Sequence, residues 1–363
     1  MSTVGHPEVG TSTEAIDAAL HRFFAERGGE AGVIGQGFAA AVAELEGYVL
    51  RGGKRVRPTF AWIGWIGAGG DEAGPTAGAV LRTCAALELL HASALIHDDI
   101  IDASPTRRGS PAAHVTFADQ HRLRGWSGAA ESFGTGAAIL VGDVAQAWAD
   151  DMIRTSGLPA DAQARVGPVW SALRTEVLSG QLLDLTAEAS GDEDIDTALR
   201  VDRYKTASYT VERPLHIGAA IAGADADLVA AYRAFGTDIG IAFQLRDDLL
   251  GVFGDPAVTG KPSVGDLREG KRTVLLAVAL RYADERDPGA ARFLRAKIGT
   301  DISADELGAI RAIFTDIGAV DHLERDIARR TDRAIAALEV SDATSYAKDR
   351  LAAMAISATQ RTR

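Results

Sequence analysis

The stretch that decides the fold of this 363-residue chain is AGAVLRTCAALELLHASALIHDDIID, residues 77–102. It is apolar almost all the way round until it reaches its aspartates, which is typical of a helix buried at the centre of a bundle. At about 1.5 Å per residue, such a helix is on the order of 39 Å long. Its acidic end is the unusual part, because the carboxylates of Asp98, Asp99 and Asp102 repel one another at this spacing.

The rest of the chain has few strand-like alternations, whereas segments rich in Ala, Leu, Arg and Glu recur at helical spacing. This pattern predicts an all-α protein. The predicted helices lie near residues 14–27, 35–51, 57–67, 77–102, 136–155, 162–186, 196–222, 226–253, 272–284, 303–317 and 319–338. No linker or tandem repeat stands out, so we expect one domain over residues 14–355 and a disordered terminus over residues 1–13.

Charge and cysteine content exclude several classes of protein. The chain has 38 basic and 50 acidic residues, a net charge of −12, which argues against nucleic-acid binding. It shows neither a secretory signal pattern nor an apolar run of about 18 residues, so we expect no transmembrane segment. Cys84 is the single cysteine, which excludes an internal disulfide and a Cys-based zinc site and favours a cytoplasmic location.

The first acidic motif suggests a metal site. Asp98 and Asp102 are four residues apart and share one helix face, while Asp99 lies about 100° further round. Hard carboxylate oxygens suit Mg²⁺, which shares its coordination shell with water and substrate phosphates. A solvated acidic helix end is the alternative when such a motif stands alone.

A second acidic pair makes that alternative less attractive. Asp247 and Asp248 follow another apolar segment in FQLRDDLLGVFGD, residues 243–255, and the Gln244 amide lies on the same helical face. Basic clusters complete the pattern. They comprise Lys54, Arg55 and Arg57 in RGGKRVRP, Arg107 and Arg108 after the first aspartates, and Lys261, Lys271 and Arg272 in a Gly-rich stretch. Together they indicate binding of phosphate groups, although no P-loop motif is present, and the apolar helices would receive a hydrocarbon.

The motifs GGKRVRP, LIHDDIIDASPTRRG, YKTAS and FQLRDDLLGVFGD with TGKP stand in the order found in trans-prenyl diphosphate synthases. The chain resembles that family over roughly residues 40–275. The resemblance implies the isoprenoid-synthase fold, a bundle of long helices around a central apolar cavity, usually as a homodimer. It also implies a prenyltransferase that uses Mg²⁺, three ions in all, to condense isopentenyl diphosphate head-to-tail with an allylic diphosphate.

The resemblance also implies roles for individual residues. Asp98, Asp102 and Asp247 would ligate the metal ions, with Asp99 and Asp248 assisting. Isopentenyl diphosphate would be bound by Lys54, Arg57, His91 and Arg108, with Arg55 in the same loop, and the allylic diphosphate by Arg107, Lys205, Lys261 and Lys271. Oxygens of Thr206 and Gln244 would face the forming allylic cation. Gly251 replaces the third aspartate of many relatives, which leaves the number of ligands open, and Asp255 is a partial substitute.

Product length depends on the residues one to two turns before Asp98. Ser93 and Ala94 are small where short-chain members often carry an aromatic stopper, and Leu90 lies deeper. This favours geranylgeranyl diphosphate, with farnesyl or longer products as alternatives. A class I terpene cyclase would lack GGKRVRP, and a non-catalytic partner subunit typically loses aspartates, whereas both pairs are intact here.

Overall fold

The computed structural model describes residues 9–107, 109–254 and 265–360, and these residues fold into α-helices with one two-stranded hairpin. The prediction of an all-α protein is confirmed. The described chain falls into two compact units, the first comprising the chain up to Pro168 with Ile217–Ala224, and the second comprising Val169–His216 and the chain from Asp225 onward. The expectation of a single domain over residues 14–355 remains a prediction.

The first half of the chain is built from long helices and a hairpin. Its elements are α1 (Val9–Ile34), α2 (Gln36–Leu50), α3 (Val56–Gly67), α4 (Ala77–Ile101), β1 (Thr106–Arg107), β2 (Ser110–Pro111), α5 (Ala113–Leu123), α6 (Ala130–Arg154) and α7 (Ala160–Ser190). Helix α1 already includes residues 9–13, which the sequence analysis placed in a disordered terminus, and residues 1–8 lie outside the described residues.

Helix α4 is buried along most of its length, as its composition predicts. It is also the one described helix that is long and apolar enough to cross a membrane, yet 72% of its apolar window is buried inside the protein. Burial of each large aliphatic side chain contributes about 1.5–3 kcal/mol. Helix α6 approaches α4 closely because residue 142 is glycine, since a Cβ atom there would lie 2.3 Å from Nε2 of His97. This contact fixes the helix end that carries Asp98 and Asp99.

The second half continues with α8 (Ile195–Val201), a π-helical segment (Asp202–Glu212), α9 (Arg213–Ala222) and α10 (Ala226–Phe253). It ends with α11 (Gly265–Glu269), α12 (Val274–Arg286), α13 (Pro288–Lys297), α14 (Ala304–Asp316), α15 (Ala319–Glu339) and α16 (Ser345–Thr359). Helix α10 begins at its predicted residue because the Asp225 carboxylate accepts a hydrogen bond from the Leu228 amide at 2.8 Å. Apolar residues of α10, α12, α14 and α15 form the core of the second unit.

Two glycines allow other helices to pack against the π-helical segment. A Cβ atom at Gly180 of α7 would lie 2.2 Å from the backbone nitrogen of Lys205, and one at Gly240 of α10 would lie 2.4 Å from Cα of Ala207. Both contacts are with backbone or Cβ atoms, which cannot move aside as the end of a long side chain can. The two glycines therefore set how closely α7 and α10 approach Lys205 and Thr206.

Candidate active site

The first acidic motif lies at the C-terminal end of α4, where its carboxylates differ in exposure. Asp99 is completely buried, whereas the Asp98 side chain is 16% exposed. Asp102 is the C-cap residue of the helix and is half-buried. The two aspartates that the resemblance assigns to metal therefore reach solvent, and the intervening one does not.

Arg107 pairs with two carboxylates of this motif. The tight turn after α4 and the following hairpin bring it back to the helix end, where its Nε donates to Oδ1 of Asp99 at 2.7 Å. Its Nη2 donates to Oδ2 of Asp98 at 3.1 Å. Burial raises the pKa of Asp99, and Arg107 opposes that shift. The Oδ2 atom of Asp99 is buried and has no hydrogen-bond partner among the described residues.

The basic loop before α3 contains residues in contrasting environments. Lys54 is exposed and Arg57 is half-buried. Arg55 is buried, and each of its three guanidinium nitrogens donates a hydrogen bond, to Asp17 at 2.8 Å, to Glu88 at 2.6 Å and to the carbonyl of Val49 at 3.0 Å. The Arg55 guanidinium therefore anchors this loop to α1, α2 and α4.

His91 lies in the same unit as this loop, two helical turns before Asp98, and is 8% exposed. The residues predicted to set product length lie on the same helix. Ser93 and Leu90 are buried, at 2% and 3% exposure, and Ala94 is half-buried. Arg108, predicted to help bind isopentenyl diphosphate, lies outside the described residues.

The second acidic motif lies near the C-terminal end of α10 and is organised by neutral groups. Gln244 Nε2 donates to Oδ1 of Asp248 at 2.9 Å, and its Oε1 accepts from the Thr206 hydroxyl at 3.0 Å. Asp248 is 3% exposed, and its Oδ2 is buried with no hydrogen-bond partner in the described part of the chain. Burial, with the nearby charges of Asp266 and Asp247, raises the pKa of Asp248 to about 8. Asp247 is half-buried.

Lys205 and Thr206 both belong to the π-helical segment. The hydrogen bond between Thr206 and Gln244 brings together the two residues whose oxygens, by the family resemblance, face the allylic cation. The Lys205 ammonium donates to Oδ2 of Asp184 at 2.5 Å. Asp202, at the start of the segment, is buried, and burial beside Asp248 and Asp184 raises its pKa. Sequence reasoning missed Asp184, Asp202 and the π-helix, since neither aspartate stands in a recognisable motif and α- and π-helical segments share one residue composition.

Gly251, the position where the third aspartate is missing, lies beside another carboxylate. A Cβ atom at Gly251 would lie 2.8 Å from Oδ2 of Asp266, a residue of α11 that the sequence analysis did not single out. Lys271 Nζ lies 3.0 Å from Glu269 and 4.0 Å from Asp266. Lys261 and Asp255 lie outside the described residues.

The donor atoms suit a hard divalent cation that is shared with a substrate. Within the described part of the chain, no group of three His, Cys, Asp or Glu side chains is placed to hold a metal ion alone. Mg²⁺ does not need one, because it is commonly held by one or two carboxylates together with water and phosphate oxygens. The buried, unpartnered oxygens of Asp99 and Asp248 and the accessible carboxylates beside them fit this mode of binding.

Comparison with known proteins identifies the class. The polyprenyl synthetase family model matches residues 40–311. One similar solved structure is that of a geranylgeranyl pyrophosphate synthase from Corynebacterium glutamicum, complexed with isoprenyl diphosphate and magnesium. Its sequence is 44% identical to this chain, and the two structures superpose with a TM-score of 0.93. The match covers 98% of this chain and all of that one.

Two curated relatives agree with this result. A geranylfarnesyl diphosphate synthase from Aeropyrum pernix is 36% identical over 76% of this chain and 80% of its own length. A geranylgeranyl diphosphate synthase from Mycobacterium tuberculosis is 32% identical over 79% of this chain and 75% of its own length. The protein is thus an all-α isoprenoid-type synthase. It belongs to the polyprenyl synthetase family and is a prenyltransferase that makes trans-prenyl diphosphates, which confirms the resemblance seen in the sequence.

Proposed function

We propose that the protein condenses isopentenyl diphosphate with an allylic diphosphate and that its main product is geranylgeranyl diphosphate. The observation that carries the product length is the 44% identity, over almost the whole chain, to a synthase named for that product. The small, buried Ser93 supports it, because an aromatic side chain at this position would shorten the space for a substrate tail. Because one relative is named for a longer product, geranylfarnesyl diphosphate is the alternative product that the assay must distinguish.

In this proposal, Asp98, Asp102 and Asp247 ligate Mg²⁺, and three ions are bound with the substrate. Bound Mg²⁺ would stabilise the negative charge that develops on the departing diphosphate. Asp99 and Asp248 assist from buried positions, behind the ligands or as additional ones. These assignments rest on the family resemblance together with the accessible and buried positions of the carboxylates.

The remaining residues bind and orient the two substrates. Lys54, Arg57, His91 and Arg108 hold isopentenyl diphosphate, and Arg107, Lys205, Lys261 and Lys271 hold the allylic diphosphate. Arg107 and Lys205 would exchange their carboxylate partners for phosphate oxygens when substrate arrives. Hydroxyl and amide oxygens of Thr206 and Gln244 face the allylic cation, apolar helix walls exclude water, and the proton lost after coupling leaves with the diphosphate.

We further propose a cytoplasmic homodimer. In the first unit, α6 exposes large apolar side chains that a partner would cover, with Phe133 39% exposed and Leu140 65% exposed. These two residues are seven apart and therefore share one helix face. Sedimentation of the wild type and of Leu140→Glu tests this part, since the variant should sediment as a smaller species. An unchanged sedimentation coefficient would contradict the assigned surface.

The test of product length uses purified protein with farnesyl diphosphate, labelled isopentenyl diphosphate and Mg²⁺. We expect extension by one unit. With geranyl diphosphate as the primer, Ser93→Phe and Ala94→Phe should yield shorter products than the wild type. Ser93→Ala is the matched control because it leaves the volume at this position small, and its product should equal that of the wild type. An unextended farnesyl primer, with geranyl diphosphate still extended, would refute the proposed product. An absence of label incorporation with both primers would indicate a non-catalytic subunit.

A further inference from the structure

A cavity of about 370 Å³ in the second unit is lined by none of the residues assigned to the reaction. Three arginines line it, Arg203 of the π-helical segment, Arg233 of α10 and Arg333 of α15, together with Glu212 and Asp238. The Arg233 and Arg333 side chains are 41% and 62% exposed, so solvent reaches the cavity. Its volume lies at the lower end of the range for small-molecule sites.

Both carboxylates of the cavity are already saturated. Glu212 accepts from Arg233 Nε at 2.9 Å and from the Thr237 hydroxyl at 3.0 Å, one bond to each oxygen. Asp238 accepts from Arg333 Nε at 2.6 Å on one oxygen, and Arg333 Nη2 donates to the other. Because these acids are buried and fully bonded, the cavity does not offer them to a cation.

Arg203 differs from the other arginines of the cavity. Its Nε is buried and finds no hydrogen-bond partner among residues 9–107, 109–254 and 265–360. Its guanidinium lies over the ring of Tyr204, 5.4 Å from the centroid. No ion pair of Arg203 is found among the described residues. A guanidinium carries five N–H donors, so Arg203 presents hydrogen-bonding capacity that the described residues leave unused.

We propose that this cavity binds a small oxyanion of the phosphate or diphosphate class. Three guanidiniums against two neutralised carboxylates leave an excess of positive charge and of N–H donors on the lining. Arginine recognises such anions through paired, charge-assisted hydrogen bonds. Arg203 and Glu212 belong to the segment that carries Lys205 and Thr206, so a bound oxyanion would tie α10 and α15 to that segment.

The experiment places a fluorescent reporter at the cavity. Ala234 is an exposed lining residue and Cys84 is completely buried, so Ala234→Cys can be labelled selectively with bimane in the full-length protein. Sodium diphosphate and sodium phosphate are titrated separately in EDTA, with sodium chloride at matched ionic strength as the blank. Arg203→Gln is compared in this background with Arg200→Gln, which removes the same charge from an exposed arginine of α8 outside the lining.

We expect a saturable spectral shift with at least one of the two phosphates, with the tighter one identifying the ligand. The dissociation constant should rise about tenfold in Arg203→Gln, the loss of one charge-assisted contact, and stay unchanged in Arg200→Gln. Arg203→Gln should have the melting temperature of the wild type because it breaks no ion pair. If Arg203→Gln melts at a lower temperature, Arg333→Gln gives a second test. Equal shifts with chloride, no saturable shift, or equal affinity in every variant would overturn the proposal.

Discussion

The two acidic motifs share a sequence pattern but have different electrostatic surroundings. At the end of α4, the buried Asp99 is neutralised by the guanidinium of Arg107, which the following hairpin supplies. At the end of α10, the buried Asp248 accepts instead from the neutral amide of Gln244, and its pKa is raised to about 8. The same local pattern, an aspartate pair at an apolar helix end, therefore occurs at both sites. The charge of the buried aspartate in each pair depends on which partner the tertiary fold provides.

The largest expected effect is loss of activity when an accessible aspartate of either motif is removed. Asp98→Ala and Asp247→Ala should each lower turnover by about 10² or more if both motifs hold metal. Thermal melting should change little, because both side chains reach solvent. Steady-state assays at saturating Mg²⁺ check this. Near wild-type turnover in one variant only would show that the two motifs differ in function as well as in surroundings.

Removal of the half-buried Arg107 should destabilise the first motif strongly. Arg107→Gln leaves Asp99 buried without its counter-ion, which should cost about 3 kcal/mol in the free energy of unfolding. The double variant Arg107→Gln with Asp99→Asn should recover most of this loss. Urea unfolding without substrate measures both. A loss that persists in the double variant would mean that Arg107 acts through packing and not through charge.

The two diphosphate patches should separate in kinetics. Lys54→Ala and Arg57→Ala should each raise the KM for isopentenyl diphosphate about tenfold, and Lys205→Ala should do so for the allylic substrate. Initial rates are measured with one substrate varied and the other saturating. Arg55→Lys serves as a contrast, because Arg55 anchors the loop. Its replacement should lower the free energy of unfolding and leave both KM values close to those of the wild type. Equal effects on both substrates from all three alanine variants would refute the separation.

A further expected effect is a difference in pH dependence. The folded-state pKa of Asp248, about 8, lies above its ordinary value of 3.8, so the protonated form favours folding. This contribution is complete below pH 3.8 and is lost as pH rises towards 8. Asp248→Asn should therefore become progressively more stable than the wild type across that window, measured by urea unfolding in EDTA. A constant difference between the two proteins would show that Asp248 is already ionised throughout.

Helical periodicity predicted most of the long elements because it is a local property of the chain. Helix α10 spans the predicted residues 226–253, and α4 ends one residue before its predicted end. Helix α5 was missed because its sequence is mostly polar and only Phe117, Ala118 and His121 are buried. The π-helical segment was missed because helical periodicity is local, whereas this segment packs closely against Gly180 and Gly240. That packing joins residues far apart in sequence.

The sequence by itself determined the residue types and their helical placement, because a 3.6-residue period puts Asp98 near Asp102 and Gln244 near Asp248. It also determined the family, since the motifs stand in a diagnostic order. Only the tertiary structure decided that Arg55 anchors its loop, that Lys205 pairs with Asp184 and that Asp266 lies beside Gly251. The physical reason is that charge pairing depends on distance and burial in space, which separation along the chain does not encode.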